Sequence, residues 1–107
     1  MTAEELYTVL SQYAQSQGLE LNCDRTFTLQ IIEGLLKNEE RYGYRSCPCR
    51  LASGNKDKDK DIICPCVYRD ADISEYGSCY CSLYVSHSWN TSDGPHPVVP
   101  ERRAPNH

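Results

Sequence analysis

Three Cys-x-Cys pairs, Cys47-Pro48-Cys49, Cys64-Pro65-Cys66 and Cys79-Tyr80-Cys81, constrain this chain more than any other feature. Fourteen and then twelve residues separate them. Structural zinc sites usually present C-x2-C knuckles, in which two intervening residues let both thiolates turn onto one ion, so three tighter pairs do not favour zinc. Iron-sulfur clusters want four thiolates approaching from different directions. A proline between two cysteines fixes its own φ and pushes the preceding residue toward extended geometry, which aims the two sulfurs. Four ligands would leave two of the six cysteines over. Those two are able to form a disulfide across different pairs, since a bridge within one Cys-x-Cys would be strained.

The chain begins Met1-Thr2-Ala3-Glu4-Glu5, with neither a basic start nor an apolar run, so no secretory signal is expected. No stretch approaches the roughly 20 apolar residues of a membrane span. The expected setting is therefore reducing and cytoplasmic, where clustered thiols bind metal or do redox chemistry rather than form a static framework. The odd total of seven cysteines points the same way. A chain of 107 residues is long enough for one domain with a modest core that a metal staple would help. The formal net charge of -4 disfavours nucleic acid as a partner. That charge is uneven, however: Arg41, Arg45, Arg50, Lys56, Lys58, Lys60 and Arg69 surround the first two cysteine pairs.

Two helices are expected before the cysteines. Leu6, Val9, Leu10 and Tyr13 recur at helical spacing from Thr2 to about Gln17, Thr2 and Glu5 fit a capping box, and Gly18 suits a left-handed stop. A second helix is expected from Asn22 or Asp24 to about Tyr42, with Phe27, Ile31, Ile32, Leu35 and Leu36 on its apolar face and Gly43 at its end. From Tyr44 onward the periodicity dissolves. The Lys/Asp alternation from Ser53 to Asp61 predicts a solvated loop or exposed helical turn. The organisation is thus one domain over residues 1–89 and a Pro-rich tail over 90–107 that wraps the domain or stays mobile. Asn90-Thr91-Ser92 matches a glycosylation acceptor by chance.

With these motifs, the chain resembles the catalytic subunit of ferredoxin:thioredoxin reductase, whose hallmark is C-P-C, then C-P-C, then C-H-C. The resemblance rests on residues 40–90, with Cys-Pro-Cys-Arg at 47–50, Cys-Pro-Cys-Val at 64–67 and Cys-Tyr-Cys-Ser-Leu at 79–83. It implies a mainly α, small single-domain fold whose loops hold a [4Fe-4S] cluster near the surface. It further implies ferredoxin as the donor of single electrons, and a thioredoxin-like protein or small disulfide as the acceptor. Carried over by position, it makes Cys47, Cys64, Cys66 and Cys79 the cluster ligands and Cys49 with Cys81 the redox-active disulfide. Cys49 is then the outer thiol that attacks the target and Cys81 the inner one.

The chain departs from the family pattern in its loop spacing, with extra residues around Asp70 to Ser78, and in Tyr80, which stands where the family has histidine. Tyrosine does not titrate near neutral pH, so a water or His87 would have to handle protons, although an ordinary surface or packing role is the simpler expectation for His87. His96 and His107 lie in the tail. These departures fit a divergent prokaryotic-type member, and the need for a second subunit stays open. Ferredoxin is expected on the basic patch, Arg45 and Arg50 are expected to favour the Cys49 thiolate, and Cys23 is expected to be a buried structural thiol. Two other functions compete: an iron-sulfur electron carrier with idle extra cysteines, and a zinc-binding interaction module.

Overall fold

The computed structural model of the chain describes residues 1–50, 52–92 and 94–102. Helix α1 spans Ala3–Ser16 and opens with the expected capping box: Glu5 N donates to Thr2 Oγ1 at 3.1 Å and Thr2 N to Glu5 Oε1 at 3.0 Å. Its inner stripe is Leu6 and Ala14, flanked by half-buried Leu10 and Tyr13. Val9 falls off that stripe and is 48% exposed. Helix α2 spans Arg25–Tyr42, with Asp24 as its N-cap and Gly43 in the left-handed conformation at its end. Ile32 and Leu35 are buried, while Ile31 and Leu36 pack partly against them.

About half of the chain is helical, and a small sheet joins its two halves. Strand β1, Glu20–Leu21, pairs antiparallel with β2, Tyr84–Val85, in the register Glu20 with Val85 and Leu21 with Tyr84. Two residues per strand are too few for alternation to show in the sequence. Three short helices follow: α3 at Lys56–Asp59 between the first two cysteine pairs, α4 at Arg69–Tyr76 between the second and third, and α5 at His87–Thr91 beyond the last. No apolar stripe announces α4 because the residues it buries are Arg69 and Asp72. Asn90 and Thr91, assigned by sequence to the tail, still belong to α5.

The solvated reading of Ser53 to Asp61 fails at one residue. Asp59 is fully buried and accepts hydrogen bonds from Tyr44 Oη at 2.5 Å and from the backbone N–H groups of Ser53 and Gly54. The charges on either side hide an internal carboxylate.

Leu6, Leu21, Ile32, Leu35, Ile62 and Leu83 form the hydrophobic core, and Cys47, Cys79 and Cys81 belong to the same cluster. The cysteine site therefore grows out of the core. After α5 the chain returns along the domain: His96 stacks on Trp89 at 3.7 Å, Val99 is buried, and Glu101 and Arg102 reach charged partners on the body. The end of the expected tail, residues 103–107 with His107, lies outside the described residues.

Candidate functional site

Backbone hydrogen bonds lay the first cysteine loop along the second. Cys47 N donates to Ile62 O and Cys64 N to Arg45 O, both at 2.8 Å, around an antiparallel bridge between Ser46 and Ile63. Burial of Ile62 holds this register. The third loop closes on itself: Cys79 N donates to Tyr84 O at 2.9 Å, and Ser82 takes a left-handed φ of 62° that turns the chain back. Tyr84 N then meets Cys79 Sγ at 3.3 Å. Asn22 ties this loop to the N-terminal half, its Nδ2 donating to Ser82 O and its backbone N to Leu83 O.

The three loops enclose one cavity, lined by Cys47, Cys64, Cys66, Cys79 and Cys81, with Arg50, Arg69 and Tyr84 in its wall. Every position that the resemblance assigns as a ligand is on that lining. Cys49 is not; it is exposed. Even so, the sulfurs of Cys47, Cys49 and Cys81 lie within 4.8 Å of one another, and Cys79 Sγ is 3.8 Å from Cys81 Sγ. Cys49 and Cys81 thus meet across the first and third loops, in company with Cys47, while Cys64 and Cys66 stand outside that group of three. All of these cysteines are free thiols.

Shared protons set the thiol chemistry. Hydrogen bonds from Cys49 and Cys81 hold the Cys47 thiol well below its ordinary range. Donating to Cys47 pushes Cys49 up to about 11. Cys79 is lowered first by its bond from Cys81, and Cys81, the common donor, is raised. Burial raises Cys64, and raises Cys66 against the opposing charge of Arg50.

Several expectations need correction. Arg45 does not serve Cys49, because it pairs with Glu39 at 2.9 Å. Arg50 turns to Cys66 instead, its guanidinium 3.5 Å from that sulfur and bound to Glu101. Donation to Cys47, rather than either cation, sets the direction at Cys49. Arg50 and Arg69 are each 8% exposed, which removes them from the basic docking patch. His87 is the surface histidine that the simpler expectation gave, bound to Glu20 at 2.6 Å, and among the described residues no histidine lines the cavity. Cys23 is exposed rather than a buried thiol.

Two features fit an iron-sulfur cluster. Five cysteines of one cavity offer the soft donors such a group takes. Tyr84 Oη, buried in the same wall, has no hydrogen-bond partner among the described residues. An orphan hydroxyl of this kind costs about 1–3 kcal/mol unless an acceptor occupies the cavity.

Residues 1–102 match the family described as ferredoxin thioredoxin reductase catalytic beta chain. The chain belongs to that family. The ferredoxin-thioredoxin reductase catalytic chain of Porphyra purpurea is 33% identical over 79 residues, covering 69% of this chain and 61% of that protein. Its counterpart from Cyanidium caldarium is 30% identical over 87 residues, covering 79% and 75%, and a Synechocystis protein of the same name is 31% identical over 77 residues, covering 70% and 62%. The match therefore spans about three fifths of the length of two of these relatives.

Within this family member, sequence reasoning missed Tyr84, the pairing of buried Arg50 with Glu101, and Gly34 of α2, where a β-carbon would lie 2.7 Å from Pro48 Cβ. Only Gly34 left a signal, as a glycine inside an otherwise good helix.

Proposed function

We propose that this chain is the catalytic part of a ferredoxin-dependent disulfide reductase in which Cys47, Cys64, Cys66 and Cys79 hold a [4Fe-4S] cluster. The observation that carries this reading is the placement of exposed Cys49 within 4.8 Å of buried Cys81, beside a cavity lined by the other paired cysteines. Bound there, the cluster would supply one-electron transfer from ferredoxin to a disulfide that needs two electrons.

Cys49 and Cys81 would take those two electrons and two protons and become a dithiol. Cys49 then attacks the target disulfide as thiolate: a bond forms between its sulfur and one target sulfur, and the other target sulfur leaves as thiolate. Cys81 attacks Cys49, restores their disulfide and releases the second target thiol. Exposure suits Cys49 to the intermolecular step, and burial suits Cys81 to the internal one. A thioredoxin-like protein or a small disulfide fits the acceptor role. Among the described residues no helix is long and apolar enough to cross a membrane, and the reducing cytoplasm suits free thiols.

The test is anaerobic purification followed by iron and sulfide analysis and a visible spectrum. Four irons per chain are expected, together with ferredoxin-driven reduction of thioredoxin that Cys49→Ser abolishes. A cluster whose electron transfer is indifferent to Cys49→Ser would identify an electron carrier instead, and zinc without iron would identify an interaction module.

A further inference from the structure

The C-terminal segment places a carboxylate on the cysteine site. Arg50 follows the first pair directly, and its side chain is 2% exposed. Its guanidinium lies 4.5 Å from the Tyr80 ring centroid and 5.2 Å from that of Tyr68, and Nη1 is 3.5 Å from Cys66 Sγ. Glu101, fifty-one residues further on, grips it with both oxygens, at 2.6 Å to Nε and 2.8 Å to Nη2. A two-point bond of this geometry fixes a guanidinium in orientation as well as position. The next residue, Arg102, binds Asp72 and Glu75 of α4, so the segment is held on a second side.

A nearly buried cation facing a cysteine sulfur favours whichever state of the site carries more negative charge, which is the reduced state. A carboxylate on that cation cancels part of the effect. The aromatic faces of Tyr68 and Tyr80 hold the guanidinium where Glu101 meets it, so Tyr80, in the place of the family's histidine, acts here as a wall for Arg50.

We propose that Glu101 is a positioning residue for the cysteine site, acting through Arg50, and that the pair sets the site's reduction potential. The proposal rests on the reductase reading above. It predicts opposite signs. Glu101→Gln keeps an acceptor but removes the negative charge, leaving Arg50 uncancelled, and raises the midpoint. Arg50→Gln removes the positive charge and lowers it. Glu101→Asp keeps the charge and stays near wild type.

The experiment is a spectroelectrochemical titration of the anaerobically purified full chain and these three variants, with melting temperatures measured in parallel. Opposite shifts for E101Q and R50Q, with E101D near wild type, are expected. Equal midpoints, or shifts of one sign that follow the melting temperatures, overturn the proposal by making the contact purely structural. An iron-free wild-type chain sinks the reductase reading at once. The charge pair is then judged on the thiol–disulfide midpoint of the same variants in glutathione buffers, where the opposite signs must still appear and their absence overturns it.

Discussion

Gly34 of α2 passes so close to Pro48 that a β-carbon on it would stand 2.7 Å from Pro48 Cβ and 3.3 Å from Cγ. The helix is thereby the floor on which the Cys47-Pro48-Cys49 loop rests. Gly34→Ala should gain about 1 kcal/mol of helix propensity, yet overlap with a rigid ring inside a packed region costs about 1–3 kcal/mol. The overlap is expected to win. The variant should melt lower and carry less iron than wild type, and a variant that melts higher with full iron would show that the loop yields at no cost.

The cysteine assignments divide cleanly by readout. Replacing Cys47, Cys64, Cys66 or Cys79 by Ser should each abolish the visible spectrum, whereas Cys49→Ser and Cys81→Ser should retain it. Cys81→Ser should in addition trap a covalent adduct with a thioredoxin that lacks its resolving cysteine and whose remaining cysteine carries a thionitrobenzoate group, which leaves as Cys49 attacks. Peptide mass spectrometry is expected to place the bond on Cys49; a bond on Cys23, the other exposed thiol, would reverse the assignment.

Asp59 ties the loop between the first two pairs to Tyr44. Burial alone would raise its pKa, but hydrogen bonds from Tyr44, Ser53 and Gly54 outweigh that and hold it below the ordinary 3.8. The unfolded chain thus binds the proton more readily, so stability from this group is fully present above 3.8 and is lost as pH falls through the lower folded value. Asp59→Asn should cost about 1–3 kcal/mol at neutral pH and flatten the acid limb of stability, both readable in urea titrations at stepped pH. A variant with an unchanged acid limb would assign that limb to other carboxylates.

With Arg50 and Arg69 buried in the cavity wall, a basic surface for the proposed ferredoxin would come from exposed Arg41, Lys56, Lys58 and Lys60. Charge reversal at Arg41 or Lys60 should slow electron transfer from ferredoxin severalfold at low salt, and added salt should shrink the difference. Stopped-flow rates insensitive to both would move the docking face elsewhere.

The hydroxyl of Tyr84 gives a test with little packing change. Tyr84→Phe deletes a buried group that has no partner among the described residues. If the cavity holds sulfide and thiolate acceptors, loss of a donor should lower the midpoint of the reduced site. An unchanged midpoint with a higher melting temperature would mean that the hydroxyl was simply unsatisfied.

The sequence made the two long helices legible because their apolar positions and caps agree, down to Thr2 with Glu5 and Asp24 before α2. The six paired cysteines stood out by spacing alone. What escaped was polar and long-range. Helix α4 buries Arg69 and Asp72, which an apolar count discards; Asp59 sits among exposed charges; and Glu101 finds Arg50 across the fold. The basic cluster misled for the same reason, since a local run of cations says nothing about which of them will find partners inside. Cys23, expected buried and found exposed, showed the limit of assigning a role to a residue type without its neighbours.

Asn90 reaches back to Cys23 N, Glu20 Oε1 and Leu21 O, contacts that span 67 to 70 residues of chain, and Asn22 reaches Ser82 across 60. On a ribosome, the amino-terminal helices and the first two Cys-Pro-Cys loops emerge well before the residues that clamp them in place. Such separations delay closure, because loop entropy must be met before the clamping contacts form. If the site takes a metal, loading is thus expected only after Asn90 has emerged, and until then the nascent thiols of the first two loops lack the contacts that hold them apart from wrong partners.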